Sequence, residues 1–135
     1  MKLLTLFAVW TALVIVPLES KGQEPAPDWK PPGTEEQAAV DQANERLGAI
    51  YKRLMSKLKG YPLNDLGQKA LKEAERSWIK WRDDEAMLIA RVGGATGGSG
   101  LRVDFANAQL KLINQRIEVL NEYLKQIAEN QSAND

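Results

Sequence analysis

The chain contains neither cysteine nor histidine. That double absence removes thiolate and imidazole metal sites, cysteine nucleophiles and serine–histidine triads from the chemistry this chain can carry alone. A metal would have to be held by oxygen ligands only, and the sequence implies no cofactor. No disulfide can form in any compartment, and no cysteine is present to carry a lipid. A charge excess is missing too, with 18 basic and 18 acidic side chains. Nucleic-acid binders usually show a basic excess or stripe; neither is found here, so nucleic acid is not an expected partner. At 135 residues the chain is sized for one domain.

What is present begins with a leader. Met1-Lys2 precedes an apolar run from Leu3 to Leu18, broken only by Thr5 and Thr11 before Pro17. A short basic start and a run of this length predict a secretory signal peptide over residues 1–22. The run falls short of the ~20 residues a membrane span needs. Ser20 and Gly22 occupy the small-residue positions of a cut before Gln23; an uncleaved anchor is the alternative. Cleavage would leave 16 basic and 17 acidic residues and a net charge of −1. The expected location is the periplasm or the extracellular space, with no stable membrane span after cleavage. Residues 23–33 hold Pro25, Pro27, Pro31 and Pro32. Proline cannot continue a helix, so this stretch reads as an extended arm. Trp29 is the one aromatic in it, suited to folding back on an apolar groove or to docking a partner.

Three helical patterns follow. Thr34-Glu35-Glu36-Gln37 has the form of a capping box. Val40, Ala43, Leu47, Ile50 or Tyr51, Leu54 and Leu58 then trace one face of a helix over about 35–59. Gly60 and Pro62 end it, and the short turn obliges the next helix to run back antiparallel. Asn64 or Asp65 is the expected cap of that second helix, with its firm part from Gln68 because Gly67 weakens the first turn. Its stripe is Leu71, Ala74, Trp78, Trp81, Glu85, Leu88 and Val92. Glu85 is out of place on a core face, and Arg82 lies along the edge of that face. Either both reach out of a seam, partly paired with each other, or they form a buried polar contact that fixes how the helices meet. Gly93–Gly100 carries five glycines in eight residues and reads as a flexible connector. It lacks the Gly-Lys-Ser/Thr ending of a phosphate loop. The third helix has the cleanest repeat: Val103, Ala106, Leu110, Ile113, Ile117, Leu120, Leu124 and Ile127.

The fold expected is therefore all-α, an antiparallel bundle of three long helices after a signal peptide and a Pro-rich arm. The helical domain spans 34–130, and 131–135 form a polar tail that frays. Narrow apolar seams can also close between protomers, which leaves a homodimer open.

The segment Leu71–Glu85 resembles the family of the lysozyme inhibitor LprI N-terminal domain. The resemblance rests on Trp78, Trp81, Arg82-Asp83 and Glu85, continues at Arg116 and Leu120, and extends upstream to Tyr51 and Leu54. It covers about residues 40–125. Members are small, exported and helical, and the motif reads Trp, two residues, an aromatic, Arg-Asp, then Glu-Cys. Ala86 stands where the family has that cysteine, Ala108 where its second falls, and Ile113 replaces a Thr. Positions 86 and 108 mirror each other about residue 97, so an antiparallel pair would set them opposite, where the family's disulfide would lie. The same mirror sets Arg116 near Trp78. Arg116 is expected to stack on Trp78 or pair with Glu75, and Arg82-Asp83 to touch the first helix or the loop. The motif then marks a fold and not a catalytic site.

The resemblance implies an exported binding protein that inhibits a lysozyme-type muramidase or related wall hydrolase. Asp83, Asp84, Thr96 and Ser99 are the candidate partner-binding residues: two acids for a basic enzyme, and two hydroxyls beside glycine amides for its cleft. The alternative is a general envelope interaction or stress module without lysozyme activity. An enzyme using Asp83, Asp84 or Glu85 as paired carboxylates is disfavoured, because neighbouring helix residues project in different directions.

Overall fold

The computed structural model describes residues 30–60 and 65–133. The leader, the arm as far as Trp29, and Asn64 lie outside the described residues. Helix α1 spans Thr34–Lys57, α2 spans Leu66–Val92 and α3 spans Gly98–Ser132. The all-α antiparallel bundle expected from the sequence is the architecture observed. Among the described residues, no helix is long and apolar enough to cross a membrane.

The topology is up-down-up. Gly33 lies against Arg102 and Arg46 donates to Asn114, so α1 and α3 advance together. Asn44 meets Arg82, and the Met55 carbonyl meets Gln68, so α2 runs opposite to α1. Helix α3 is the centre of the assembly, packing along both α1 and α2, while α1 and α2 touch each other only lightly. At 35 residues it is about 52 Å long.

The chemistry of α3 explains that role, because it has two apolar faces. Ala106, Ile113, Leu120 and Ile127 recur every seven residues and bury against Val40, Ala43, Leu47 and Leu54 of α1, with Leu71 completing the cluster. Phe105, Ala108 and Leu112 sit to one side and pack with Ala86 of α2. The expected stripes of α1 and α3 are thus the buried ones. Fully burying a Leu or Ile contributes roughly 1.5–3 kcal/mol each, so the three largest fully buried side chains, Leu54, Ile113 and Leu120, anchor the α1–α3 contact.

The stripe expected on α2 is corrected. Leu71 and Trp78 do face the core, but the buried positions beyond them are Glu75, Ala86 and Ala90. Trp81, Leu88 and Val92 are 49%, 56% and 79% exposed. Among the described residues only α3 covers α2 closely, and its approach is set by alanines: Ala86 is fully enclosed, Ala108 nearly so. Small side chains let two backbones come close; an indole at that contact would hold them apart.

Helix ends differ from expectation in detail. No capping box forms: Gly33, in the left-handed region at φ 91°, precedes the first turn, the Thr34 hydroxyl donates to the Pro31 carbonyl at 2.6 Å, and Gln37 donates to Asp41. A positive φ favours glycine, and with Gly33 turning the chain there, Thr34 is already helical. Asp65 precedes α2, whose first turn includes Gly67, without a side-chain cap bond. The glycine connector is shorter than expected, since α3 begins at Gly98 and takes Ser99 and Gly100 into its first turn. At the other end α3 continues through Gln131 and Ser132, so the first residues of the expected tail are helical.

Candidate functional site

Two neighbouring features come from the α2–α3 hairpin: a polar clasp at mid-height and a glycine-rich tip.

The clasp begins with Glu75, which is 8% exposed although charged. Its Oε2 accepts two bonds from Arg116, from Nη2 at 2.9 Å and from Nε at 3.1 Å. The two side chains are 11% and 13% exposed, so this is a buried ion pair. The Arg116 guanidinium also lies over the Trp78 ring, 5.6 Å from its centroid, and Arg82 lies over the same ring at 5.5 Å. Cation–π contacts of this kind contribute ~0.5–2 kcal/mol, more when desolvated. Arg82 in turn donates through Nε to Asp83 at 2.8 Å and through Nη1 to Asn44 of α1 at 3.3 Å. Asp83 also accepts from Gln109 of α3 at 3.0 Å. Helical spacing explains the convergence: 75, 78 and 82 share one face, turned into the angle between α1 and α3.

The family-motif residues therefore divide. Trp78, Arg82, Asp83 and Arg116 join one network with Glu75, Asn44 and Gln109, and it ties all three helices. Two carboxylates and two guanidiniums leave it without net charge. Glu85 is half-buried beside it, and Trp81 stands on the outer face of α2. Asn44 and Gln109 belong to no apolar stripe and to none of the family-motif positions. A signal existed for Gln109: reflecting Asp83 through the loop centre lands at Lys111, two residues away. Nothing comparable marks Asn44.

Of the candidate partner-binding residues, Asp83 is half-exposed and occupied by Arg82 and Gln109. Asp84 points to solvent and pairs loosely with Lys80 at 3.2 Å. Consecutive acids thus face α3 and water, with no shared cleft between them. Among the described residues, no cluster of acidic side chains could hold a metal ion.

The tip is built differently. Helix α2 ends at Val92 and the chain turns through Gly93–Gly97, with Gly94 and Gly98 at φ 96° and 64°. Arg91 Nη1 donates to the Ala95 carbonyl at 3.3 Å and the Thr96 carbonyl at 3.0 Å. These bonds fold the loop's acceptors back toward α2. Helix α3 then starts with no side-chain cap and no acidic residue in its first turn. Thr96 and Ser99 flank this start, so the tip brings together two hydroxyls and unfilled helix amides. It does not include Asp83 or Asp84.

Comparison with known proteins agrees with the motif residues. A family model described as lysozyme inhibitor LprI matches residues 35–120. The chain belongs to the lysozyme inhibitor LprI family. The match spans α1, α2 and most of α3, so the clasp and the tip both lie inside it. No curated protein and no solved structure matches the chain. For this LprI-family chain, Ala86 and Ala108 occupy one buried cluster with Leu112, so the two helices meet there through methyl groups.

Proposed function

We propose that this protein is an exported binding protein that inhibits a lysozyme-type muramidase, and that the contact is made by the hairpin tip. Membership of the lysozyme inhibitor LprI family carries the reading. The tip supplies a physical means. The cleft of a glycan hydrolase carries two carboxylates, and the first turn of a helix offers free amides at the positive end of its dipole. At the start of α3 that end is uncapped and not neutralised by an acidic neighbour. Glycines at 93, 94, 97 and 98 leave the tip thin enough to enter a cleft, and Thr96 and Ser99 add donors on either side. Asp83 takes a structural role instead, inside the clasp.

The test is turbidity of a cell-wall suspension under muramidase, with residues 23–135 titrated in. A chicken-type and a bacterial enzyme should be run side by side, with binding followed in parallel. Saturable inhibition near one equivalent is the expected result. Absence of both inhibition and binding would overturn it. Binding without inhibition would favour an envelope interaction module.

A further inference from the structure

The outer face of α2 shows a second surface. Trp81, Glu85, Leu88 and Val92 follow spacings of four, three and four, the strict repeat of a two-helix seam. Trp81, Leu88 and Val92 are the exposed part of the stripe that α3 does not cover. We propose that two copies of this chain pair antiparallel through this face of α2, from Trp81 to Val92.

The charges beside the seam select the occupant and its direction. In an antiparallel pair Trp81 faces Val92 of the second copy, and Glu85 faces Leu88. The residues flanking those layers on one side are Asp84 and Arg91. With these layers in register, Asp84 of each copy lies beside Arg91 of the other, so the surface complements itself twice over. A parallel pair would instead set Glu85 against Glu85 and leave Asp84 beside Ile89. The opposite flank carries Arg82 and Ile89, and Arg82 is turned inward to Asp83 and Asn44. Both flanking charges are available: among the described residues Asp84 makes only an exposed bond to Lys80, and Arg91 uses one of its nitrogens on the loop carbonyls. Glu85 at a seam position costs stability and penalises other registers. Four layers over twelve residues make a seam of about 17 Å. With a helix about 10 Å across, a contact of that length covers far less than the ~1,200 Å² of a stable interface, so association is weak and concentration-dependent.

Sedimentation velocity of residues 23–135 across a concentration series tests the pairing. A monomer–dimer equilibrium is expected. Asp84→Arg should weaken it about tenfold by opposing like charges, and adding Arg91→Asp in the same chain should restore it. Leu88→Lys should abolish it with the helix content unchanged. Because the chain has no native thiol, Glu85→Cys mixed with Leu88→Cys should give a mixed cross-linked dimer on oxidation. A monomer at every concentration would overturn the proposal, as would a dimer indifferent to Leu88→Lys or self-linking of Glu85→Cys in place of the mixed product. A monomeric protein whose Leu88→Lys variant loses muramidase inhibition would assign the face to the enzyme and overturn the pairing, while leaving the inhibitor reading intact.

Discussion

Removing the Arg116 side chain is the sharpest perturbation of this fold. Arg116→Ala deletes both donors to Glu75 Oε2. Oε1 of the same carboxylate is buried with no partner among the described residues. The variant would therefore hold a carboxylate that is only 11% exposed in the parent, with neither oxygen bonded to its former partner. Stranding one member of a buried ion pair costs ~3–5 kcal/mol. The stacking on Trp78 disappears in the same step, and its ~0.5–2 kcal/mol overlaps with that figure rather than adding to it. Domains of this size are stable by ~5–15 kcal/mol, so about a fifth of the margin or more goes. At ~4–8 °C per kcal/mol, the midpoint should fall by about 12 °C or more. Thermal and urea unfolding followed at 222 nm measure this directly. Arg116→Lys keeps the charge but not the forked geometry, and should fall between the parent and the alanine variant. The double variant Glu75→Met with Arg116→Met removes both charges at similar volume, and should recover most of the loss because apolar replacements of buried pairs are often neutral. A midpoint for Arg116→Ala within a degree or two of the parent would refute the argument. So would a double variant no better than the single one.

Three further outcomes follow from the same geometry. Ala86→Cys with Ala108→Cys should oxidise readily, since both positions share one buried cluster; closing the 21-residue loop between them should stabilise by roughly 3 kcal/mol, and failure to oxidise would mean the helices present those positions apart. Gly48→Ala should raise the midpoint, because Gly48 lies inside α1 with open space where a Cβ would go and alanine is favoured there by ~0.8–1 kcal/mol; a lower midpoint would contradict that open placement. Ser99→Asp should separate stability from function. An acid in the first turn of α3 stabilises the helix by ~0.3–1 kcal/mol, yet it should repel a carboxylate-bearing cleft, so inhibition falling as stability rises is expected, and undiminished inhibition would remove the tip from the contact.

The sequence was most informative where burial follows one helical period. In α3 every residue of the apolar repeat faces inward or nearly so, because α3 sits between two partners and its apolar positions are all needed. Helix α2 has one close neighbour, and there hydrophobicity misled. The face that packs is chosen by size and polarity matching: Ala86 against Ala108, Glu75 against Arg116, Asp83 against Gln109. A stripe search rewards Trp81, Leu88 and Val92 and cannot weigh a methyl contact against an indole. The pairing of Arg116 with Glu75 was legible because reflection about the loop is a geometric argument, independent of hydrophobicity. The start of α3 was not. Glycine lowers helix propensity by ~1 kcal/mol per residue, but it does not forbid a first turn that the rest of a 35-residue helix carries along.

The distribution of these contacts sets where the hairpin gives way. The family resemblance implies cysteines at 86 and 108, about two and three turns from the loop, and this chain has alanines there. What joins α2 to α3 instead is graded by height. Glu75–Arg116 is buried and doubly bonded, Asp83–Gln109 is half-exposed, Ala86–Ala108 is apolar contact only, and beyond it the loop is held by Arg91 to two carbonyls. Local opening requires least free energy where few buried contacts must break. Opening should therefore begin at Gly93–Gly97 and stop at the clasp, with amide exchange fast through Leu101 and slow from Gln109 onward. That gradient suits an inserting tip: the clasp keeps the two helices in register while the last turns adjust to the surface they meet. A covalent bridge at 86 and 108 would move the stopping point toward the loop. The oxidised double-cysteine variant should accordingly show slower exchange across residues 87–107, and any change in muramidase inhibition would then report how much of that adjustment binding needs.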